Sequence, residues 1–142
     1  MNWLKRLIAR LRTRPAPPHL QRGRRGERTA QQYLKRAGLK FLTANYRTPR
    51  GEIDLVFRDG ECLVFVEVKT RSSEEWVRPA VAVDAEKQRR LSLAALDYLR
   101  CLGNPRIRMR FDIVEVLVAE GEAPEVRHLP NAFTLTPPLR YG

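Results

Sequence analysis

The chain has 142 residues, 43% hydrophobic and 30% charged, which suits one globular domain with a single core and excludes an intrinsically disordered polymer. Lys and Arg number 27 against 16 Asp and Glu, and the resulting net charge of +11 points to a polyanionic partner, either nucleic acid or an anionic membrane surface. Two cysteines without CxxC spacing and two histidines, His19 and His128, argue against a disulfide framework and against a structural zinc site.

Residues 2–12 place Trp3, Leu4, Leu7, Ile8 and Leu11 on one helical face and Arg and Lys on the other. Such a segment suits a membrane surface, nucleic acid or a partner protein, and equally a frayed tail. It is too short to span a bilayer and lacks the apolar core and cleavage site of a signal peptide, so a reducing cytoplasm is the expected location. "PAPPH" at 15–19 breaks any helix. The expected organisation is this N-terminal segment and linker over 1–20, an α/β domain over 21–120 and a Pro-containing tail over 121–142.

Within the domain, Ala30, Tyr33, Leu34 and Ala37 recur at helical spacing, and Gly38 supplies a stop, predicting a helix over about 25–37. "LKFLTANYR" (39–47) reads as a strand, ended by Pro49 and Gly51. Residues 51–70, "GEIDLVFRDGECLVFVEVKT", read as two strands joined by a hairpin turn with Asp59 and Gly60 at its centre. An irregular crossing over 72–84 leads to Asp84, a helix cap, and to a helix over 85–101 whose buried stripe is Leu91, Ala94, Ala95, Tyr98 and Leu102. "IRMRFDIVEVLVA" (107–119) is a further strand, and the tail holds at most one more short element. A strand–helix–strand connection of this length makes a parallel pair, so the fold class is α/β, a mixed sheet flanked by helices.

The hairpin carries Glu52, Asp54, Glu67 and Lys69 inside otherwise apolar strands. With Asp59-Gly60 at the turn, Glu52 lies opposite Glu67 and Asp54 opposite Phe65, which makes Asp54 and Glu67 diagonal neighbours about 7–8 Å apart. Alternation then gathers Glu52, Asp54, Val56, Leu63, Phe65, Glu67 and Lys69 on one face, and Ile53, Leu55, Phe57, Cys62, Val64, Val66 and Val68 on the other. Two carboxylates about 5 Å apart repel by about 3 kcal/mol at an effective dielectric of 20, so a covered acidic patch favours a hard cation such as Mg²⁺. A solvated strand end would need none. Glu27 lies at the edge of the first helix's stripe and either turns toward the sheet or complements the helix dipole. Lys87, four residues before Leu91, either begins the second helix's buried stripe or is a solvated first-turn lysine.

Asp54, a gap of 12 residues and Glu67-Val68-Lys69 resemble the D…(D/E)xK signature of restriction-endonuclease-like nucleases. The blocks "GRRGE", "YLKRAGLKFLTANYR", "GEIDLV", "VFVEVKTR", "AVDAEKQRRLSLAALDYL" and "RFDIVEV" resemble the small bacterial YraN-type family, itself similar in expected fold to archaeal Holliday-junction resolvases. The resemblance implies Asp54 and Glu67 as ligands of Mg²⁺ or Mn²⁺, the carbonyl of Val68 as a further ligand, and Glu27 as the helix carboxylate completing the site. It implies that Lys69 orients the attacking water, with Glu52 of the GEIDLV block in support; Lys87, from its helical position, is a further supporting candidate. The activity so implied is hydrolysis of phosphodiesters in branched or structured DNA, by a monomer or a homodimer. A nucleic-acid-binding protein of nuclease-like fold without turnover is the alternative. DNA is the expected partner ahead of RNA, with Arg22, Arg24, Arg25, Arg47, Arg50 and Arg71 as phosphate contacts. "EEWVRP" departs from the small, Gly-containing stretch expected after the third strand.

Overall fold

A computed structural model describes residues 21–77, 83–119 and 121–142, with side chains from Gly23 onward. The amphipathic segment 2–12, the proline stretch 15–19, the Arg22 side chain and Arg78 lie outside the described residues. In chain order the elements are α1 (Gln21–Arg36), β1 (Lys40–Thr48), β2 (Gly51–Asp59), β3 (Cys62–Arg71), a single turn α2 (Ser73–Trp76), α3 (Ala85–Cys101), β4 (Arg108–Leu117) and β5 (Glu125–Phe133).

The five strands form one sheet in the order β1-β2-β3-β4-β5. β3 and β4 run parallel, as a helical connection between them requires, and the other pairs are antiparallel. Both faces are covered. On one, Ala30 and Leu34 of α1 pack on Leu55, Phe57, Val64, Val66, Val114 and Val116. On the other, Leu91, Ala94, Ala95, Tyr98 and Leu99 of α3 pack on Ile53, Val56, Phe65, Phe111 and Ile113. Burial on both sides explains why the central strands are apolar at consecutive positions rather than at every second one. The result is the expected α/β class, a mixed sheet flanked by helices, consistent with a restriction-endonuclease-like fold.

The helix ends follow local chemistry. Asp84 Oδ1 accepts the Lys87 N–H at 2.8 Å, starting α3 where the cap predicts. α1 stops at Gly38, whose φ of +98° lets the Leu39 N–H return to the Leu34 carbonyl at 3.1 Å. The stripe expected for α3 is buried throughout. That of α1 is narrower than expected: Tyr33 is 39% exposed, its ring edge against His128, and Ala37 faces solvent.

Three features differ from the sequence reading. Asp59 pairs with Cys62, so Gly60 and Glu61 form the β2–β3 turn, with Gly60 at φ +58°. Asp59 stays in the strand, where its carboxylate takes Arg110 of β4 at 2.9 Å. The register moves by two residues, so Val56, and not Asp54, faces Phe65. A shift of two preserves faces and brings Asp54 from a diagonal to a directly facing relation with Glu67. Second, Ile53 packs with Val56 on the α3 side, although alternation assigns it to Leu55 and Phe57. The break in alternation falls opposite Asn45 of β1, whose φ of +53° departs from the extended strand. Third, the tail supplies a nine-residue strand, β5. Pro130 and Asn131 (φ +50°) disguise it, and both are tolerated because β5 is the last strand of the sheet.

Candidate active site

The site forms where β2 leaves β3. Pairing between the two strands ends at Leu55–Val66, and Asp54 and Glu67 are the next residues outward. Here the Val68 N–H donates to Asp54 Oδ2 at 2.8 Å, so the carboxylate is tied to the backbone of the neighbouring strand. Asp54 retains a partial opening to solvent, and Glu67 is 8% exposed. Burial, then the neighbouring Glu67, hold Asp54's carboxyl well above its usual range; Glu27 adds to this and the Val68 N–H works against it. Two carboxylates have been brought together under cover.

Glu27 reaches the same place from α1. Gly26 eases this approach: a β-carbon there would stand 2.3 Å from Thr70 Oγ1, so a larger residue requires the exposed Thr70 side chain to turn away. Burial raises Glu27's carboxyl too, opposed by a hydrogen bond from Asn45 and by Arg24 and reinforced by Glu52 and Glu67. Gly51 does the same for α3. A β-carbon there would meet the Arg90 carbonyl oxygen at 2.3 Å, so the second turn of α3 lies directly against the start of β2. The preceding turn carries Lys87, whose Nζ lies 3.2 Å from Glu67 Oε1. Of the two readings open for Lys87, the structure favours the inward one.

A cavity of about 190 Å³ is lined by Gly23, Arg24, Glu27, Asn45, Glu52, Asp54 and Lys87. A second, of about 350 Å³, shares Glu52 and Lys87 with it and adds Arg47, Arg50 and Arg90, a basic vestibule beside an acidic pocket. Glu27 and Glu52 are therefore both neighbours of Asp54. Lys69 is partly buried two positions beyond Glu67 on β3. Among the described residues, no three His, Cys, Asp or Glu side chains come close enough together to hold a metal ion unaided. The donors are all oxygen, and the one ammonium of Lys87 faces the carboxylates of Asp54, Glu67 and Glu27, which fits a hard cation held by Asp54 and Glu67 with Glu27 standing behind them.

The arginines named from sequence separate. Arg24 lines the pocket and Arg25 is exposed on α1. Arg47 pairs with Glu52 at 3.4 Å. Arg50 binds Asp97, its Nε 3.2 Å from Oδ2, and Arg100 shares the same carboxylate. Arg71 is largely buried against Glu115 at 2.8 Å and Glu75 at 3.3 Å, so its charge is committed within the fold. Sequence reasoning missed Asn45, which binds Glu27 and breaks the pleat. An Asn inside "LTANYR" was the available signal, since Asn is poor in strands and the readiest non-glycine residue in the left-handed region.

A sheet of this order between helices, with an acidic pocket where two strands part, defines an α/β protein of the mixed-sheet type. The chain belongs to the uncharacterised protein family UPF0102, whose sequence profile matches residues 26–116. It is 42% identical over 115 residues to a UPF0102 protein of Rhodococcus jostii, covering 81% of this chain and 98% of the other. It is 46% identical over 132 residues to one of Solibacter usitatus, covering 92% and 97%, and 46% identical over 111 residues to one of Anaeromyxobacter dehalogenans, covering 78% and 82%. The matched region contains α1 from its Gly26, every acidic residue of the pocket and β4 as far as Val116, while Gly23 and Arg24 of the pocket lining lie just before it. Among the described residues, no helix is long and apolar enough to cross a membrane.

Proposed function

We propose that this protein is a metal-dependent nuclease that hydrolyses phosphodiesters in branched or structured DNA. The observation that carries the reading is the closeness of two carboxylates, half-buried Asp54 and buried Glu67, at the point where β2 parts from β3. Asp54 and Glu67 would hold Mg²⁺ or Mn²⁺, with the Val68 carbonyl and Glu27 completing the set; the ion supplies an acidified water and charge neutralisation at the phosphate. The Val68 N–H fixes the Asp54 carboxylate, so one ligand is oriented before any substrate arrives. Lys87 holds Glu67 from the other side. Lys69, on the same strand as Glu67, places a point charge beside the scissile phosphate and orients the attacking water. Arg47, Arg50 and Arg90 draw the backbone toward the pocket through the vestibule.

One observation favours the binding-only alternative. The Lys87 ammonium already satisfies Glu67, and among the described residues no third acidic ligand has closed on the pair. The two readings separate experimentally. Purified protein is incubated with Mg²⁺ or Mn²⁺ and a panel of junction, flap and linear substrates, beside Glu67→Ala. Cleavage by the wild type alone supports the nuclease. Steeply salt-dependent binding that ignores metal and Lys69→Ala, with no cleavage above the Glu67→Ala background, leaves binding without turnover.

A further inference from the structure

At the other end of the sheet lies a much larger cleft, about 1200 Å³. It opens between the β2–β3 turn, the last turns of α3, the connection 104–107 and the C-terminal residues 140–142. Along β3 this is about 20 Å from Glu67, at the rise of an extended strand. Six arginines line it: Arg50, Arg58, Arg100, Arg106, Arg108 and Arg140. Glu61 lines it as well, and Asp97 neutralises part of the charge by binding both Arg50 and Arg100. Arg58, Arg106, Arg108 and Arg140 form no ion pair with a described residue, and the last three are exposed. Cationic side chains concentrated in a concavity raise the local concentration of anions far more than the same charges spread over a convex surface.

The floor of the cleft is not charged. Leu96, Ile107 and the ring of Tyr141 lie there, and Tyr141 is anchored by its hydroxyl to the Pro105 carbonyl. Arginines around an apolar floor with a fixed aromatic ring suit a ligand that presents phosphates and flat bases together. A single strand does this, whereas a duplex keeps its bases stacked inside. Arg50 also lines the vestibule beside the acidic pocket, so the two basic surfaces join at that residue.

We propose that the arginine-lined cleft seats a single-stranded segment of nucleic acid, which continues past Arg50 toward the acidic pocket. The ligand class rests on the nucleic-acid reading of the proposed function, while occupancy of the cleft does not depend on turnover. On that arrangement the preferred substrate carries an unpaired arm next to the phosphate presented to Asp54 and Glu67, and not an uninterrupted duplex.

The test is run in EDTA, so that catalysis plays no part. Binding of a fluorescently labelled 20-nucleotide oligo-dT is followed by anisotropy as a function of salt, with a duplex of equal length in parallel. Arg106→Ala/Arg108→Ala is compared with Arg36→Ala/Lys40→Ala, which removes the same charge from exposed positions of α1 and β1 outside the cleft. The cleft variant is expected to bind the single strand at least tenfold more weakly than the control variant, with a salt slope shallower by about 1.4, two contacts at about 0.7 each. Tyr141→Leu is expected to weaken the single strand and leave the duplex unchanged, with melting temperature as the check on folding. Equal weakening in the cleft and control variants overturns the proposal. So does equal loss for single strand and duplex, or equal affinity for anionic vesicles or polyglutamate. For the wild type assayed separately with Mg²⁺, absence of cleavage alongside intact cleft binding in EDTA counts against the nuclease reading alone.

Discussion

Replacing Asp54 by Asn tests the central physical claim, that the acidic pocket costs stability until a cation enters it. Two carboxylates about 5 Å apart repel by about 3 kcal/mol at an effective dielectric of 20. Lys87 reduces this, but its side chain is 41% exposed and solvent screens it. The Asn amide oxygen can still accept the Val68 N–H, with a loss of about 1 kcal/mol on going from a charged to a neutral acceptor. The net expectation at pH 8 in EDTA is a gain of about 1–2 kcal/mol, or a melting temperature higher by about 3–8 °C for a chain of this size. Asp54's carboxyl is raised in the folded state, so its ionisation opposes folding. The wild type therefore keeps its full stability below the ordinary carboxylate range and loses it as pH rises through the raised value. The advantage of Asp54→Asn should accordingly be absent at pH 4 and grow toward pH 8. Mg²⁺ at ten times its dissociation constant should stabilise the wild type by about 1.4 kcal/mol and the variant hardly at all. Thermal melts at several pH values, with and without Mg²⁺, decide the matter. A variant less stable than wild type at pH 8 in EDTA, or an equal Mg²⁺ response in both proteins, would refute the reasoning.

Two further perturbations test how the pocket is built. Gly51→Ala should cost more than Gly26→Ala: the first drives a β-carbon into the Arg90 backbone carbonyl, and the second meets the Thr70 hydroxyl, an exposed side chain that can rotate away. Urea denaturation should show about 3 kcal/mol or more for Gly51→Ala and about 1 kcal/mol for Gly26→Ala, and the reverse order would contradict the packing described. Asn45 has φ +53°, so Asn45→Ala should lose about 1–2 kcal/mol through strain. Asn45→Gly should keep stability and lose the hydrogen bond to Glu27, and calorimetry of Mg²⁺ binding would then register weaker affinity.

Much of the architecture was legible because it rests on local chemistry. Asp84 and Gly38 mark helix ends through bonds made within a few residues, and the α3 stripe follows from a period that one helix imposes on itself. The approach of Asp54 to Glu67 was legible for a similar reason, since alternation on a hairpin constrains which residues can meet. The exact register was not, because Asp59 is held in the strand by Arg110, 51 positions away in sequence. β5 was hidden by Pro130, which a central strand would reject and an edge strand accepts. The commitment of Arg71 to Glu115 and of Arg50 to Asp97 lies beyond any local pattern, since each pair joins segments more than 40 residues apart.

The misplacement of Ile53 is the most instructive of these departures, because it coincides with the pocket. A regular pleat would send Ile53 toward α1 with Leu55 and Phe57, and would continue the ladder past Leu55–Val66. With Asn45 in the left-handed region, β2 instead turns Ile53 into the α3 core and frees Asp54 to take the Val68 N–H through its side chain. A sheet defect thus performs two tasks at once. It ends the β2–β3 pairing at Leu55–Val66, and it aims the Asp54 carboxylate at the backbone of the neighbouring strand. The same defect explains why alternation rules succeed along most of the hairpin and fail at its open end. Where the ladder ends, the Asp54 side chain replaces a backbone acceptor for the Val68 N–H, and the space beside it is the cavity lined by Glu27, Asn45, Glu52 and Lys87.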